Sequence, residues 1–229
     1  IHKMITFLVK KLLLFRQTFF KKINKNFYSQ FGEDRILDEI IRKDFYNGFY
    51  VDVGCFHPKK YSNTFMLFKR GWFGINIDME ESKIDTFDIA RPNDYNFLGA
   101  ISDKVEKVKI YRNQKFGVSS TIDPSILKKD DIIDENFITT TTLDNVINNS
   151  PYKNKEIDLL NIDTEGNDFK VLKSLNFNIY NPKVIIIETH LKKIEEIIKS
   201  EIYIYLITKE YDLKSWNIYS LIFKKKSRT

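Results

Sequence analysis

Short apolar runs that end on or beside an acidic residue recur along this chain, and they constrain its fold more than any other feature. Phe49–Val53 (FYVDV), Phe73–Asp78 (FGINID), Asp158–Asp163 (DLLNID) and Lys183–Glu188 (KVIIIE) are each of strand length and apolar enough to be buried on both faces. Tyr95–Ala100 is a further strand, and Val105–Tyr111 alternates like an exposed strand or hairpin arm. Helical stretches lie between them. Glu33–Lys43 carries Ile36, Leu37, Ile40 and Ile41 on one face and opens with carboxylates that suit the helix dipole. Thr64–Arg70 and Asp168–Ser174 are two more. Strands alternating with helices predict an α/β fold with a doubly wound, mostly parallel sheet. Tyr211–Trp216 and Tyr219–Lys224 read as a C-terminal antiparallel hairpin at the edge of that sheet.

The 229 residues suffice for one such domain, with 1–27 expected as a separate basic amphipathic helix and 28–229 as the domain. One cysteine excludes an intramolecular disulfide framework and a Cys-rich zinc site, which fits a reducing, cytoplasmic compartment. The formal charge of +6 is unevenly placed. Residues 1–27 hold seven basic groups and no acidic one, and the last six residues hold four more. The body 28–223 keeps 26 basic residues against 31 acidic, a net of −5 that would repel a phosphate backbone. Nucleic acid is therefore not expected as a partner. In 4–25, Ile5, Leu8, Leu12, Phe15 and Phe19 fall at helical spacing among lysines. Such a helix suits peripheral contact with the inner face of an anionic membrane, or packing on the domain or on a second copy in a homodimer. Abundant Ile, Lys and Asn suggest an AT-rich, bacterial coding sequence.

In open α/β sheets ligands collect at the carboxyl ends of the strands. Those ends are polar here: Asp52 to Pro58, Asp78 to Glu80, Ala100 to Asp103, Asp163 to Gly166, and Glu188 to His190. Asp78 lies 24 residues beyond Gly54, a spacing that suits a carboxylate holding the two hydroxyls of a ribose. The first turn has Gly54 alone, followed by Cys55, Phe56 and His57, and so lacks the glycine cradle a pyrophosphate needs. An adenosyl ligand without phosphates fits better than a nicotinamide dinucleotide.

Six blocks in order carry a family resemblance: YSQFGEDRIL (Tyr28–Leu37), DVGCFHP…SNT (Asp52–Thr64), RGWFGINID (Arg70–Asp78), TTLDNV (Thr141–Val146), IDTEGND (Ile162–Asp168) and IIIETH (Ile185–His190). Together they resemble the FkbM family of S-adenosylmethionine-dependent methyltransferases. The resemblance implies a class I methyltransferase (Rossmann-like) fold and methyl transfer to a hydroxyl oxygen, commonly on sugars, glycans or polyketides. The implied acceptor here is a carbohydrate or nucleotide-sugar of surface polysaccharide biosynthesis. Two departures stand out: Cys55 where a smaller residue is usual, and Lys173-Ser174 in place of a turn glycine.

With that cofactor, Asp52 is expected to hold the methionine amino group, or else to cap a helix or pair in a loop. Gly54 is expected to give close backbone approach, Asp78 to hold the ribose, with Glu80 its rival, and Ala100, Ile101 and Ser102 to flank adenine. Gln30 and Glu33 either cover the cofactor or, with Ser29, cap a helix. Ser62 and Asn63 are methionine-carboxylate donors or a helix N-cap. His57, Glu165 and Trp216 are expected on the acceptor side, Trp216 otherwise packing. His190 and Asp163, with Glu188, are the catalytic candidates for removing the hydroxyl proton. A divalent metal on Asp163, Glu188 and His190, from an oxygen-rich set that also includes Glu165, is the less favoured alternative. Two rival functions remain at this stage, an NAD-dependent sugar oxidoreductase and a non-catalytic membrane-associated binding protein.

Overall fold

The computed structural model of the chain describes residues 6, 9–13, 27–41, 47–113, 120–123, 125 and 132–227. In chain order the first elements are α1 (Glu33–Ile40), β1 (Phe49–Val53), α2 (Phe65–Phe68), β2 (Phe73–Asp78), α3 (Glu81–Ala90), β3 (Tyr95–Leu98), β4 (Ala100–Ile101), β5 (Lys107–Asn113) and β6 (Ser120–Thr121). Then follow β7 (Ile132–Thr141), α4 (Leu143–Asn149), β8 (Leu159–Ile162), α5 (Asp168–Lys173), β9 (Val184–Glu188), α6 (Ile194–Ile197), α7 (Glu201–Thr208), β10 (Tyr211–Asn217) and β11 (Ser220–Lys225).

The result is a mixed α/β chain with a seven-stranded sheet in the order β10-β11-β9-β8-β1-β2-β3. β1 pairs in parallel with β2 and with β8; β2–β3 and β8–β9 are parallel too. β11 runs antiparallel to both β9 and β10. The chain builds outward from β1 through β2 to β3, then returns to start β8 on the other side of β1. The strand order therefore reverses between β1 and β8, where an open α/β sheet leaves a crevice at its carboxyl edge.

Uniformly apolar strands are explained by helices on both faces. Val51, Val53, Ile75, Ile77, Leu160, Ile162, Ile185 and Ile187 pack with α4 (Leu143, Val146, Ile147), α5 (Val171, Leu172) and Leu206 of α7. Tyr50, Leu159, Val184 and Ile186 pack on the opposite side with Leu37 of α1, Met66 and Leu67 of α2, and Trp72. Each such side chain, fully buried, contributes about 1.5–3 kcal/mol.

That second face is interrupted by a polar row. Asp52 on β1 sits in register with Asn76 on β2 and Asn161 on β8. Both strands signal it in sequence, since FGINID and DLLNID each carry an asparagine two residues before the terminal aspartate. Arg91, 1% exposed, lies just past α3 and meets this row. Its guanidinium donates to Tyr50 Oη (3.0 Å), Thr64 Oγ1 (2.9 Å), Ser62 Oγ (3.2 Å) and the Pro58 carbonyl (2.6 Å). It also lies over the rings of Tyr50, Phe68 and Phe87. One cation thus ties α3 to the loop between β1 and α2.

A second sheet, β4-β7-β5-β6, joins the first domain layer at β4. The sequence patterns gave no sign of β6, β7, α3, α4, α6 or α7. α3 buries only Ile84 and Phe87, too few positions to display a helical period. The expected strand Tyr95–Ala100 breaks at Gly99, so that β4 leaves the large sheet and pairs with β7. Most of the basic segment 4–25 lies outside the described residues; Thr6 and residues 9–13 are helical, with Val9, Leu12 and Leu13 exposed. Among the described residues no helix is long and apolar enough to cross a membrane.

Candidate active site

A cavity of about 960 Å³ opens at the carboxyl edge of the large sheet, over the ends of β1, β2, β8 and β9. Gln30, Asp52, Gly54, Ser62, Asn63, Asp78, Ala100, Ile101, Asp163, Glu165, Glu188 and His190 all line it. Three residues expected in the site do not. Ser102 is buried beside it, its backbone N–H donating to Thr141 and its hydroxyl meeting Asp103. His57 Nδ1 instead accepts the backbone N–H groups of Lys59 (3.0 Å) and Lys60 (3.1 Å), which spends the ring on a turn. Trp216 donates its indole N–H to the Ile218 carbonyl inside the terminal hairpin, away from the cavity.

At the β1 end, the Asp52 carboxylate is 2% exposed and accepts from Thr64 Oγ1 (2.8 Å) and Asn161 Nδ2 (2.8 Å). Burial raises its pKa, partly opposed by the Thr64 hydrogen bond and by Arg91. Asn63 reaches Asn161 Oδ1 (2.9 Å), and Ser62 Oγ accepts the Phe65 N–H that opens α2. Ser62 therefore is a helix cap as well as a cavity wall. Gly54 has φ +78° and packs where a Cβ would lie 1.7 Å from the Asp163 carbonyl oxygen. The close approach it permits is to the end of β8. At α1 the bonds follow the capping alternative: Ser29 Oγ accepts the Asp34 N–H (3.3 Å) and donates to the Asp34 carboxylate, while Glu33 accepts from the Phe31 N–H and from Ser220.

The β2 end presents Asp78, whose Oδ1 accepts from Glu80 N–H (3.0 Å) and whose Oδ2 meets Lys83 Nζ (3.2 Å) and Phe56 N–H (3.3 Å). Glu80 points instead to Ser120 of β6, which with Ile122 brings the second sheet over the cavity. Ala100 and Ile101 form an apolar wall near Asp78, 5% and 4% exposed.

The β8 and β9 ends gather the acids. Asp168 accepts from Thr164 N–H (2.7 Å), Thr164 Oγ1 (3.1 Å) and Gly166 N–H (3.2 Å), and so fixes the loop Thr164–Gly166. That loop holds Glu165 in left-handed backbone, φ +51°, with its carbonyl accepting from Thr121 Oγ1 (2.7 Å). Glu188 and His190 are two residues apart on extended chain, so both face the cavity, with His190 Nε2 3.7 Å from Glu188 Oε1. The His190 ring meets Tyr219 edge-on. Ligand atoms of Glu165, Glu188 and His190 lie within 4.8 Å of one another. Asp163, expected in a metal set, is not one of that trio; it meets Glu188 and raises the pKa of Glu188, while the hydrogen bond between them lowers its own. Burial, then Asp163, Asp168 and Glu165, push Glu188 up to about 10, and burial, then Asp168, Glu165 and Asp52, raise Asp163.

The sign of that shift gives a prediction. Above its unfolded pKa Glu188 keeps in the folded protein a proton that the unfolded chain has released, so stability falls as pH rises from the ordinary carboxylate range towards 10. In metal-free buffer, Glu188→Gln should melt progressively higher than the parent between about pH 5 and about pH 9. A gap that stays constant across that range would contradict the raised pKa.

Carboxylates and one imidazole, gathered around a cavity at the point where strand order reverses, are the layout in which α/β enzymes hold a ligand and act on it. A family model described as the methyltransferase FkbM domain matches residues 52–211. The chain belongs to that family and is a methyltransferase. The match covers every cavity element except Gln30 and Tyr219. Comparison with curated proteins and with solved structures returned no match.

Proposed function

We propose that the chain is an S-adenosylmethionine-dependent O-methyltransferase of class I (Rossmann-like) fold, acting on a sugar hydroxyl in surface polysaccharide biosynthesis. The observation that carries this reading is a single cavity with a ribose-type carboxylate, Asp78, at one end and the group Asp163, Glu188 and His190 at the other. The residues present suit an adenosyl ligand. Asp78 is a buried acceptor beside the apolar wall of Ala100 and Ile101, and the turn after Gly54 is filled by Cys55 and Phe56 where a pyrophosphate would need space. The cavity is at the upper end of the ~300–1,000 Å³ that enclose a drug-sized ligand, which supports room for an acceptor as well.

When bound, S-adenosylmethionine supplies an electrophilic methyl carbon on a sulfonium. In this reading Asp78 holds the ribose hydroxyls, Lys83 moving aside from Oδ2, while Asp52, Ser62 and Asn63 face the amino-acid end. Asp163 would take the proton of the acceptor hydroxyl, whose oxygen would receive the methyl group that the cofactor supplies. A general base works best with a pKa near the operating pH, and burial, then its acidic surroundings, raise that of Asp163 from the ordinary carboxylate range. Tyr219, Tyr61 and Phe56 offer ring faces and edges to a pyranose. The body's net negative charge and the acid group favour a neutral sugar over a nucleotide-sugar. A cytoplasmic location follows from the cofactor, with the basic segment 4–25 as a contact to the membrane's inner face.

The direct test is transfer of labelled methyl from S-adenosylmethionine to a panel of free and polymeric sugars, with methyl-ether products identified by mass spectrometry. Labelled ether on any sugar supports the reading, and methyl found only on nitrogen or carboxyl oxygen overturns it. Asp78→Ala should weaken S-adenosylhomocysteine binding by roughly 10–100-fold through lost charged hydrogen bonds, with melting temperature little changed. Unchanged affinity would remove Asp78 from the ribose role.

A further inference from the structure

We infer that Glu165, Glu188 and His190 form a binding site for one divalent cation of the Mg²⁺ or Mn²⁺ type at the acceptor end of the cavity. Three observations converge. The ligand atoms of this trio are already within 4.8 Å of one another, so a single ion between them reaches all three. Glu188 Oε2 is buried and receives no hydrogen bond. Finally, among the described residues no lysine or arginine forms an ion pair with Asp163, Glu165 or Glu188. Asp168 is the contrast: three donors from one loop satisfy it, and it stays out of the trio.

The chain brings these donors together from two separate strand ends. Glu188 and His190 share one face of the extended chain leaving β9, and Glu165 crosses from the loop after β8 that Asp168 and Thr121 hold in place. Two carboxylates and one imidazole, with no sulfur, suit hard to borderline divalent ions. Three protein ligands leave about half the positions of an octahedral ion open. The three residues line the cavity, where a vicinal pair of sugar oxygens could complete the coordination and where a cation would lower the pKa of a bound hydroxyl. The catalytic use of the ion rests on the methyl-transfer reading above; the site itself does not.

The experiment is a titration of the chelator-stripped full chain with Mn²⁺, read by the electron paramagnetic resonance of free Mn²⁺, with Mg²⁺ added as competitor. One saturable site per chain is expected, displaced by Mg²⁺. His190→Ala and Glu165→Gln should each weaken it by roughly 10–100-fold or more, while Asp78→Ala keeps it. Absence of saturable binding to the folded parent, or binding that both substitutions leave intact, overturns the proposal. S-adenosylhomocysteine affinity of the same samples keeps the two readings apart. A protein that binds the adenosyl ligand but no Mn²⁺ refutes the metal site alone, and one that binds Mn²⁺ at the trio without the adenosyl ligand refutes the cofactor reading alone.

Discussion

Asp163→Asn is expected to lower the methyl-transfer rate by roughly 10²–10⁴-fold, the worth of a general base, and to leave S-adenosylhomocysteine affinity nearly unchanged. The carboxamide keeps the size of the carboxylate, so the backbone contact between the Asp163 carbonyl and Gly54 survives. The group removed is the one that can take a proton from the acceptor. The substitution also relieves Glu188 of an acidic neighbour, so the variant should be no less stable than the parent. His190 is the rival, yet its side chain is 51% exposed and turned towards Glu188, a position better suited to holding than to proton removal. Single-turnover rates for Asp163→Asn and His190→Ala decide between them. A rate for Asp163→Asn equal to that of the parent would move the proton acceptor elsewhere.

The second large effect is structural. Gly54→Ala is expected to cost about 3 kcal/mol or more, a fall in melting temperature of roughly 6–12 °C for a chain of this size. Two terms combine: a left-handed φ of +78°, and a Cβ placed 1.7 Å from the Asp163 carbonyl oxygen. Gly32→Ala isolates the first term, because Gly32 has φ +88° with nothing within 4 Å of its Cβ position. That control should lose about 1 kcal/mol, a fall of roughly 2–4 °C. Equal losses in the two variants would show that the contact between the β1 and β8 ends carries no weight. The site depends on this contact, since it fixes Asp163 against the turn that starts at Gly54.

The strands of the large sheet were legible because they are buried on both faces, and burial leaves an uninterrupted apolar run. FYVDV, FGINID, DLLNID and KVIIIE fall within a residue of β1, β2, β8 and β9. Acids at the strand ends were legible for the opposite reason, since apolar runs make a terminal carboxylate conspicuous. What periodicity could not show was any element with a thin core contact. α3 buries two side chains, and β7 contributes to a small second sheet with Phe137 largely exposed. Ser120 and Ile122 reach the cavity from that sheet, so they too were missed.

Arg91 is the most instructive omission. In sequence it is one arginine ahead of Pro92 and Asn93, with nothing to separate it from surface charge. In the fold it is fully buried, stacked on three aromatic rings and bonded to the loop that carries Ser62 and Asn63. The matched asparagines Asn76 and Asn161 were the available signal that a polar layer crosses the sheet at this depth. His57 and Trp216, expected on the acceptor side, do not line the cavity; His57 Nδ1 is bonded within a turn and the Trp216 indole N–H within a hairpin.

The central claim is that this cavity binds the adenosyl cofactor, and calorimetric titration of the purified chain with S-adenosylhomocysteine, with NAD⁺ in parallel, tests it most directly. Saturable binding of S-adenosylhomocysteine at one site per chain, with no heat from NAD⁺, is the predicted result. Binding of NAD⁺ in preference, or of neither ligand by folded protein, would contradict it.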